Sequence, residues 1–162
     1  EQNDVPSMKM WLKYFPYAKI YGYDYSDFSF FNHKRASIFQ GDQGKKEDLN
    51  NFINISGGKF DVIIDDASHA SHHQQISLGA LFPHLNSGGY YIIEDLDWQP
   101  NELEKKESIL TEKLFLSYLG NNSFDSPFLT KDDNKYINQN IDYCNMFNKQ
   151  DQLFKLVIIK KK

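Results

Sequence analysis

Two short apolar runs, Val62-Ile63-Ile64 and Tyr90-Tyr91-Ile92-Ile93, each end in a pair of acids, Asp65-Asp66 and Glu94-Asp95. A helix-length segment and a Gly88-Gly89 turn separate them, the pattern of a parallel strand–helix–strand unit. Such a crossover places its strands side by side, with ligands gathered beyond their carboxyl ends. Around this unit the pattern predicts a helix with Met8, Met10, Trp11, Leu12, Tyr14 and Phe15 on it, stopped by Pro16. A strand over 18–24 and another over 36–40 follow, then an amphipathic helix over 45–55 with Leu49, Phe52 and Ile53 inward. Beyond Trp98, a polar loop over 99–107 opens a helix whose apolar face includes Ile109, Leu110, Leu114, Phe115, Tyr118 and Leu119. Residues 121–136, rich in Asn, Asp, Ser and Pro, read as a long loop. Two last strands, 141–147 and 153–159, are joined by only 148–152, which permits an antiparallel pair alone. The expected fold class is therefore α/β, with a sheet parallel through its first four strands and ending in an antiparallel hairpin.

A chain of 162 residues with 40% hydrophobic and 25% charged residues forms one globular domain. No apolar run approaches the roughly 20 residues of a membrane span, so no membrane partner is expected. The net charge of −4 argues against a nucleic-acid partner, and Lys160 to Lys162 read as a solvated tail. A lone cysteine, Cys144, fits a reducing, cytoplasmic location. A homo-oligomer is left open.

The chemistry is carried by acids at strand ends. Asp24 ends one strand, where an acid of a nucleotide-binding sheet accepts hydrogen bonds from ribose hydroxyls; a turn-capping role is equally compatible. Asp42-Gln43 sits at the matching end of the next strand. Asp66, Glu94 and Asp95 lie on two adjacent strand tips, about 4.8 Å apart in a sheet, and can share one cation. Oxygen ligands suit Mg²⁺, Mn²⁺ or Ca²⁺ rather than zinc. The competing reading has Asp65 or Asp66 capping the following helix. His69, at the start of that helix, can take a proton from a hydroxyl that the metal has acidified. His72 and His73 complete a His-x-x-His-His cluster that could bind zinc only with added acids, and they read as a partly exposed helix face. Trp98 reads as core or lid packing, with a substrate-flanking role as the alternative.

These residues also occur as blocks. Met10-Trp11, Tyr14-Phe15-Pro16, Ile20-Tyr21-Gly22, Gly41-Asp42-Gln43, Asp65-Asp66-Ala67-Ser68-His69, the Ala80–Leu85 segment, Gly88-Gly89 and Ile93-Glu94-Asp95-Leu96 together resemble the macrocin and mycinamicin sugar O-methyltransferases over most of residues 6–98. The resemblance implies a Rossmann-like class I methyltransferase sheet using S-adenosylmethionine and Mg²⁺ (or Mn²⁺). It implies Asp66, Glu94 and Asp95 as metal ligands, and His69 as the base. Asp24, Asp42, Gln43 and Asp65 are the candidate cofactor-binding residues, and the acceptor is a sugar diol in a small molecule or glycan. The family's first strand and glycine-rich loop have no counterpart here, so the expectation is a single, N-terminally incomplete domain with weak cofactor affinity. Two alternatives are a nicotinamide-dependent sugar dehydrogenase or epimerase-like domain, disfavoured because no tyrosine has lysine four residues later, and a non-catalytic methyltransferase-fold domain.

Overall fold

A computed structural model describes residues 4–148 and 154–162, and its contacts gather the chain into two compact units, 1–42 and 43–162. In the first unit, helix α1 (Pro6–Tyr14) starts on a proline at its first turn, where the missing N–H costs nothing. Strands β1 (Ile20–Asp24) and β2 (Ala36–Gln40) pair in parallel from Ile20↔Ala36 to Asp24↔Gln40. Arg35, the one arginine of the chain, donates to the carbonyls of Leu12, Phe15 and Ala18. Its rigid fork thereby ties the last turn of α1 to the segment that leads into β1.

The second unit opens with α2 (Lys46–Ser56), which buries Leu49, Phe52 and Ile53 at helical spacing. Glu47 and Asp48 complement the positive end of its dipole, and Gly57, at φ 89°, turns the chain off it. Strand β3 (Phe60–Asp65), helix α3 (Ser71–Leu81), a 3₁₀ turn (Phe82–His84) and β4 (Leu85–Ile93) then form the crossover. Helices α4 (Thr111–Asn121) and α5 (Lys131–Asn140) precede the hairpin β5 (Ile141–Asn148) and β6 (Phe154–Lys161). The strand order is β3-β4-β6-β5, parallel between β3 and β4 and antiparallel thereafter. Parallel pairing thus occurs in both units, though in separate sheets, and the closing hairpin is as expected. Of its expected connection, 149–152 lie outside the described residues, as does Leu153 at the expected strand start.

The core forms on one sheet face. Tyr91 and Ile93 of β4 and Val157 and Ile159 of β6 are buried at alternate positions, as a strand's period of two requires. Helix α3 is buried nearly all round and touches α2, α4 and α5. Two of its buried glutamines have specific partners. The Gln75 carboxamide donates to the Ile109 carbonyl and accepts from Ser126 Oγ, and the Gln74 carboxamide donates to the Glu94 carbonyl.

Five expectations change. Helix α4 starts at Thr111, so Ile109 and Leu110 precede it instead of lying on its apolar face. Residues 121–136 are not one long loop, because α5 occupies 131–140. The Thr130 side chain accepts from the Asp133 amide and the Asp133 carboxylate from the Thr130 amide, a reciprocal N-terminal cap that offsets a weak apolar pattern. Lys160 and Lys161 are not a solvated tail. Lys161 is buried, and its ammonium donates to the carbonyls of Phe82, Pro83 and Leu85, so all three donors are used. Gly88-Gly89 does not precede the second strand but lies in an irregular stretch of β4, where the register passes from Phe60↔Leu85 to Val62↔Tyr90. His72 is buried rather than on a partly exposed face, its ring packed between those of His73 and Phe128.

Candidate metal centre and active site

The parallel register of β3 and β4 decides where the acids fall. Asp65 pairs with Ile93, and the Glu94 amide donates to the Asp65 carbonyl. The chain therefore leaves both strands at the same level, and Asp66, Glu94 and Asp95 emerge side by side. His69 and Asp95 both adopt left-handed backbone conformations, at φ 58° and 50°, which side chains other than glycine avoid. Among the described residues only Asn122 joins them. Two strained positions within one pair of loops mark a geometry that the surrounding structure enforces.

The result is a tight donor cluster. One ligand atom each from Asp66, His69 and Asp95 lies within 4.8 Å of the others. His69 Nε2 is 3.8 Å from an Asp95 carboxylate oxygen, while its Nδ1 is buried without a hydrogen-bond partner. Glu94 stands in the same field. Burial raises its pKa, and the charges of Asp66 and Asp95 raise it further against the opposing effect of His69. Asp66 is raised by burial and by Asp95, with His69 again opposing. Carboxylates that destabilise one another in this way, with an imidazole among them, make a set that fits a hard divalent cation. The Lys155 ammonium pairs with Asp97 at 2.7 Å.

His69 precedes α3 by two residues instead of starting it, so His69 and His73 are not one helical turn apart. Neither Asp65 nor Asp66 caps α3: the N-cap residue is Ala70, without a side-chain cap. The cap comes from a distance, because Glu104 accepts from the Ser71 amide at 2.8 Å. No local pattern could have revealed that contact. Trp98, 56% exposed, meets the His69 ring edge to face with centroids 5.5 Å apart, and so forms a wall of the cluster.

Asp65 behaves differently from its neighbour. It is buried, and its carboxylate accepts from Gln43 Nε2 at 2.6 Å and from Ser77 Oγ at 2.5 Å. Burial pushes its pKa up to about 6, opposed by those two hydrogen bonds. Gln43 is therefore joined to Asp65. Asp24 and Asp42 belong to the first unit, where Asp24 is exposed at the end of β1 and accepts from the Ser26 amide. The participants that sequence reasoning missed are Ser77 and Glu104, neither of which falls in a motif.

No family model matches the chain. Over 90 residues, 56% of the chain, it is 44% identical to the mycinamicin VI 2''-O-methyltransferase of Micromonospora griseorubida and 41% identical to the demethylmacrocin O-methyltransferase of Streptomyces fradiae. It spans 22% of the length of either relative. The structure of MycE methyltransferase from the mycinamycin biosynthetic pathway, in complex with Mg, SAH and mycinamycin VI, superposes over 99% of the chain and 41% of MycE, with a TM-score of 0.74 at 28% identity. In sequence and in fold, the chain resembles the sugar O-methyltransferases. The fold, with its antiparallel closing strands, thus matches that of MycE.

Proposed function

We propose that this chain is part of a sugar O-methyltransferase, using S-adenosylmethionine and Mg²⁺ or Mn²⁺ to methylate one hydroxyl of a sugar diol on a small molecule or glycan. The observation that carries the reading is the convergence of Asp66, His69 and Asp95 at the tips of β3 and β4. The named activities of the relatives, and the Mg and SAH bound in MycE, support it. When bound, the cation would acidify the acceptor hydroxyl and the sulfonium cofactor would supply the methyl group.

The chain's residues then divide the work. Asp66 and Asp95, with Glu94 beside them, would hold the cation. His69 accepts the hydroxyl proton at Nε2, the ring nitrogen facing Asp95, because Nδ1 is buried. Trp98 shields one side of that imidazole from water. Asp24 would take the cofactor ribose and Asp42 would lie toward the adenosine. Among the described residues no helix is long and apolar enough to cross a membrane. We assign the reaction to the cytoplasm, consistent with Cys144 as a free thiol that burial pushes up to about 12 and so keeps unreactive.

The test is a screen of diol-containing sugars with labelled S-adenosylmethionine and Mg²⁺, run on the chain and on His69→Ala. The variant should turn over about 10²-fold more slowly, the usual range for loss of a general base, while S-adenosylhomocysteine binding persists. Unchanged turnover would remove His69 as the base, and turnover indifferent to EDTA would remove the metal.

A further inference from the structure

We infer that Gln43 is a positioning residue for the loop carrying Asp66 and His69, and that its side-chain carboxamide does not hydrogen-bond the cofactor. The inference rests on the reading of that loop as the metal and base loop, and it turns on how many hydrogen bonds a carboxamide can make. A glutamine side chain has two N–H donors and two oxygen lone pairs. Gln43 Nε2 donates to Asp65 Oδ1 at 2.6 Å and to Ser77 Oγ at 3.2 Å. Its Oε1 accepts from the Ser68 amide at 3.3 Å and from Ser68 Oγ at 3.0 Å. All four positions are occupied within the protein, and Gln43 is only 8% exposed. An adenine or ribose edge could bind this group only by breaking one of these bonds in a buried place, where an unpaired polar atom is costly.

The partners show what the side chain does. Asp65 ends β3, Ser77 lies in α3, and Ser68 is the middle residue of the five-residue loop 66–70. Tyr91 Oη, on β4, reaches Ser77 Oγ at 3.4 Å, and Ser77 Oγ donates to Asp65 Oδ2. Ser68 Oγ also shares a hydrogen bond with His73 Nδ1 at 2.8 Å. Gln43 therefore bridges a buried acid and hydroxyl in the core to the backbone and side chain of the loop. The loop needs such a hold, because His69, the residue after Ser68, keeps a left-handed backbone at φ 58°. A network in which every member is satisfied is rigid, and a rigid loop presents Asp66 and His69 in one arrangement.

The test compares Gln43→Ala, Ser68→Ala, the double variant and Ser68→Thr, which keeps the hydroxyl. Amide hydrogen exchange reports the loop without metal or cofactor. In Gln43→Ala the Ser68 and His69 amides should exchange at least 10-fold faster, while those of Ile64 and Ile92 in the strands stay within about 2-fold. Mn²⁺ binding, followed by electron paramagnetic resonance, should weaken about 10-fold in either single alanine variant and no further in the double, the non-additivity of residues sharing one interaction. Ser68→Thr should restore it. S-adenosylhomocysteine affinity by calorimetry should stay within 2-fold throughout. Uniformly faster exchange across β3, β4 and the loop would reduce Gln43 to a general stability residue and overturn the inference. So would a 10-fold loss of S-adenosylhomocysteine affinity with Mn²⁺ binding intact. If the wild-type chain binds no Mn²⁺, the metal reading fails, and the exchange pattern still decides whether Gln43 holds the loop.

Discussion

Replacing Asp66 by asparagine should move stability in opposite directions depending on whether a divalent cation is present. The ligand atoms of Asp66 and Asp95 lie within 4.8 Å of each other. At 4.8 Å, Coulomb's law gives about 0.9 kcal/mol of repulsion in water and about 3.5 kcal/mol at an effective dielectric of 20. Asp66 is exposed and the Asp95 side chain is half exposed, so the lower figure applies. Without metal, Asp66→Asn removes that repulsion, keeps the shape, and should raise stability by about 1 kcal/mol, roughly 2–4 °C in Tm for a chain of this size. With Mn²⁺ at a hundred times its dissociation constant, the wild type should gain about 2.7 kcal/mol by mass action. The variant, lacking one charged ligand, should gain less than about 1 kcal/mol on the same scale. Thermal melts at pH 8 in EDTA and in Mn²⁺ should therefore rank the two proteins in opposite order. A variant less stable than wild type in EDTA would refute the repulsion argument, and an equal Mn²⁺ shift in both would refute Asp66 as a ligand.

Two further expectations concern the scaffold. His72 is 4% exposed, and its pKa is pushed down to about 4 by burial first, then by His73 and Lys105, with Glu104 opposing. The unfolded chain takes up this proton below about 6.5 and the folded chain only near 4, so the contribution is complete above 6.5 and lost as pH falls toward 4. At 1.36 kcal/mol per pKa unit this amounts to at most about 3 kcal/mol. Urea unfolding of His72→Phe should show a flatter decline between pH 7 and 4.5 than the wild type, and parallel declines would refute the assignment. At the start of α5, Thr130→Ala should cost about 1 kcal/mol by removing the reciprocal cap with Asp133. A loss below about 0.3 kcal/mol in the same assay would mean that the tertiary contacts of α5, not its cap, hold the helix.

What the sequence made legible depended on whether local periodicity or distant partners decide a residue's fate. The strands expected over 18–24, 36–40 and around Val62–Ile64, and helix α2 with its inward Leu49, Phe52 and Ile53, follow from apolar spacing, and all are present as β1, β2, β3 and α2 with bounds shifted by a residue or two. Helix α5 was missed because Tyr136 and Ile137 are its only large apolar residues, although Thr130-x-x-Asp133 was a usable start signal. The fate of Lys161 could not be read, because its ammonium is captured by the carbonyls of a turn nearly eighty residues away in sequence. His72 is buried for the same kind of reason, since Phe128 covers it from a segment read only as loop. Composition reports how polar a residue is, but only the folded partners report whether that polarity is met.

The candidate site turns on the same distinction at its smallest scale. Asp65 and Asp66 are adjacent and chemically alike, yet the end of β3 falls between them and they meet opposite fates. Asp65, the last strand residue, points inward, where Ser77 and Gln43 surround its carboxylate. Asp66, one step past the strand, lies at the surface, within reach of His69 and Asp95. The second pair divides as well: Asp95, at φ 50°, turns its carboxylate toward His69, while Glu94 remains half-buried behind it. In the first pair one acid is therefore tied into the buried network with Gln43 and Ser77, and the other stands at the surface beside His69 and Asp95. Exchanging the two roles would require a one-residue slip of the strand. That slip would also shift every pairing of β3 with β4 by one residue, so the register that aligns the two strands also sets where the acids fall.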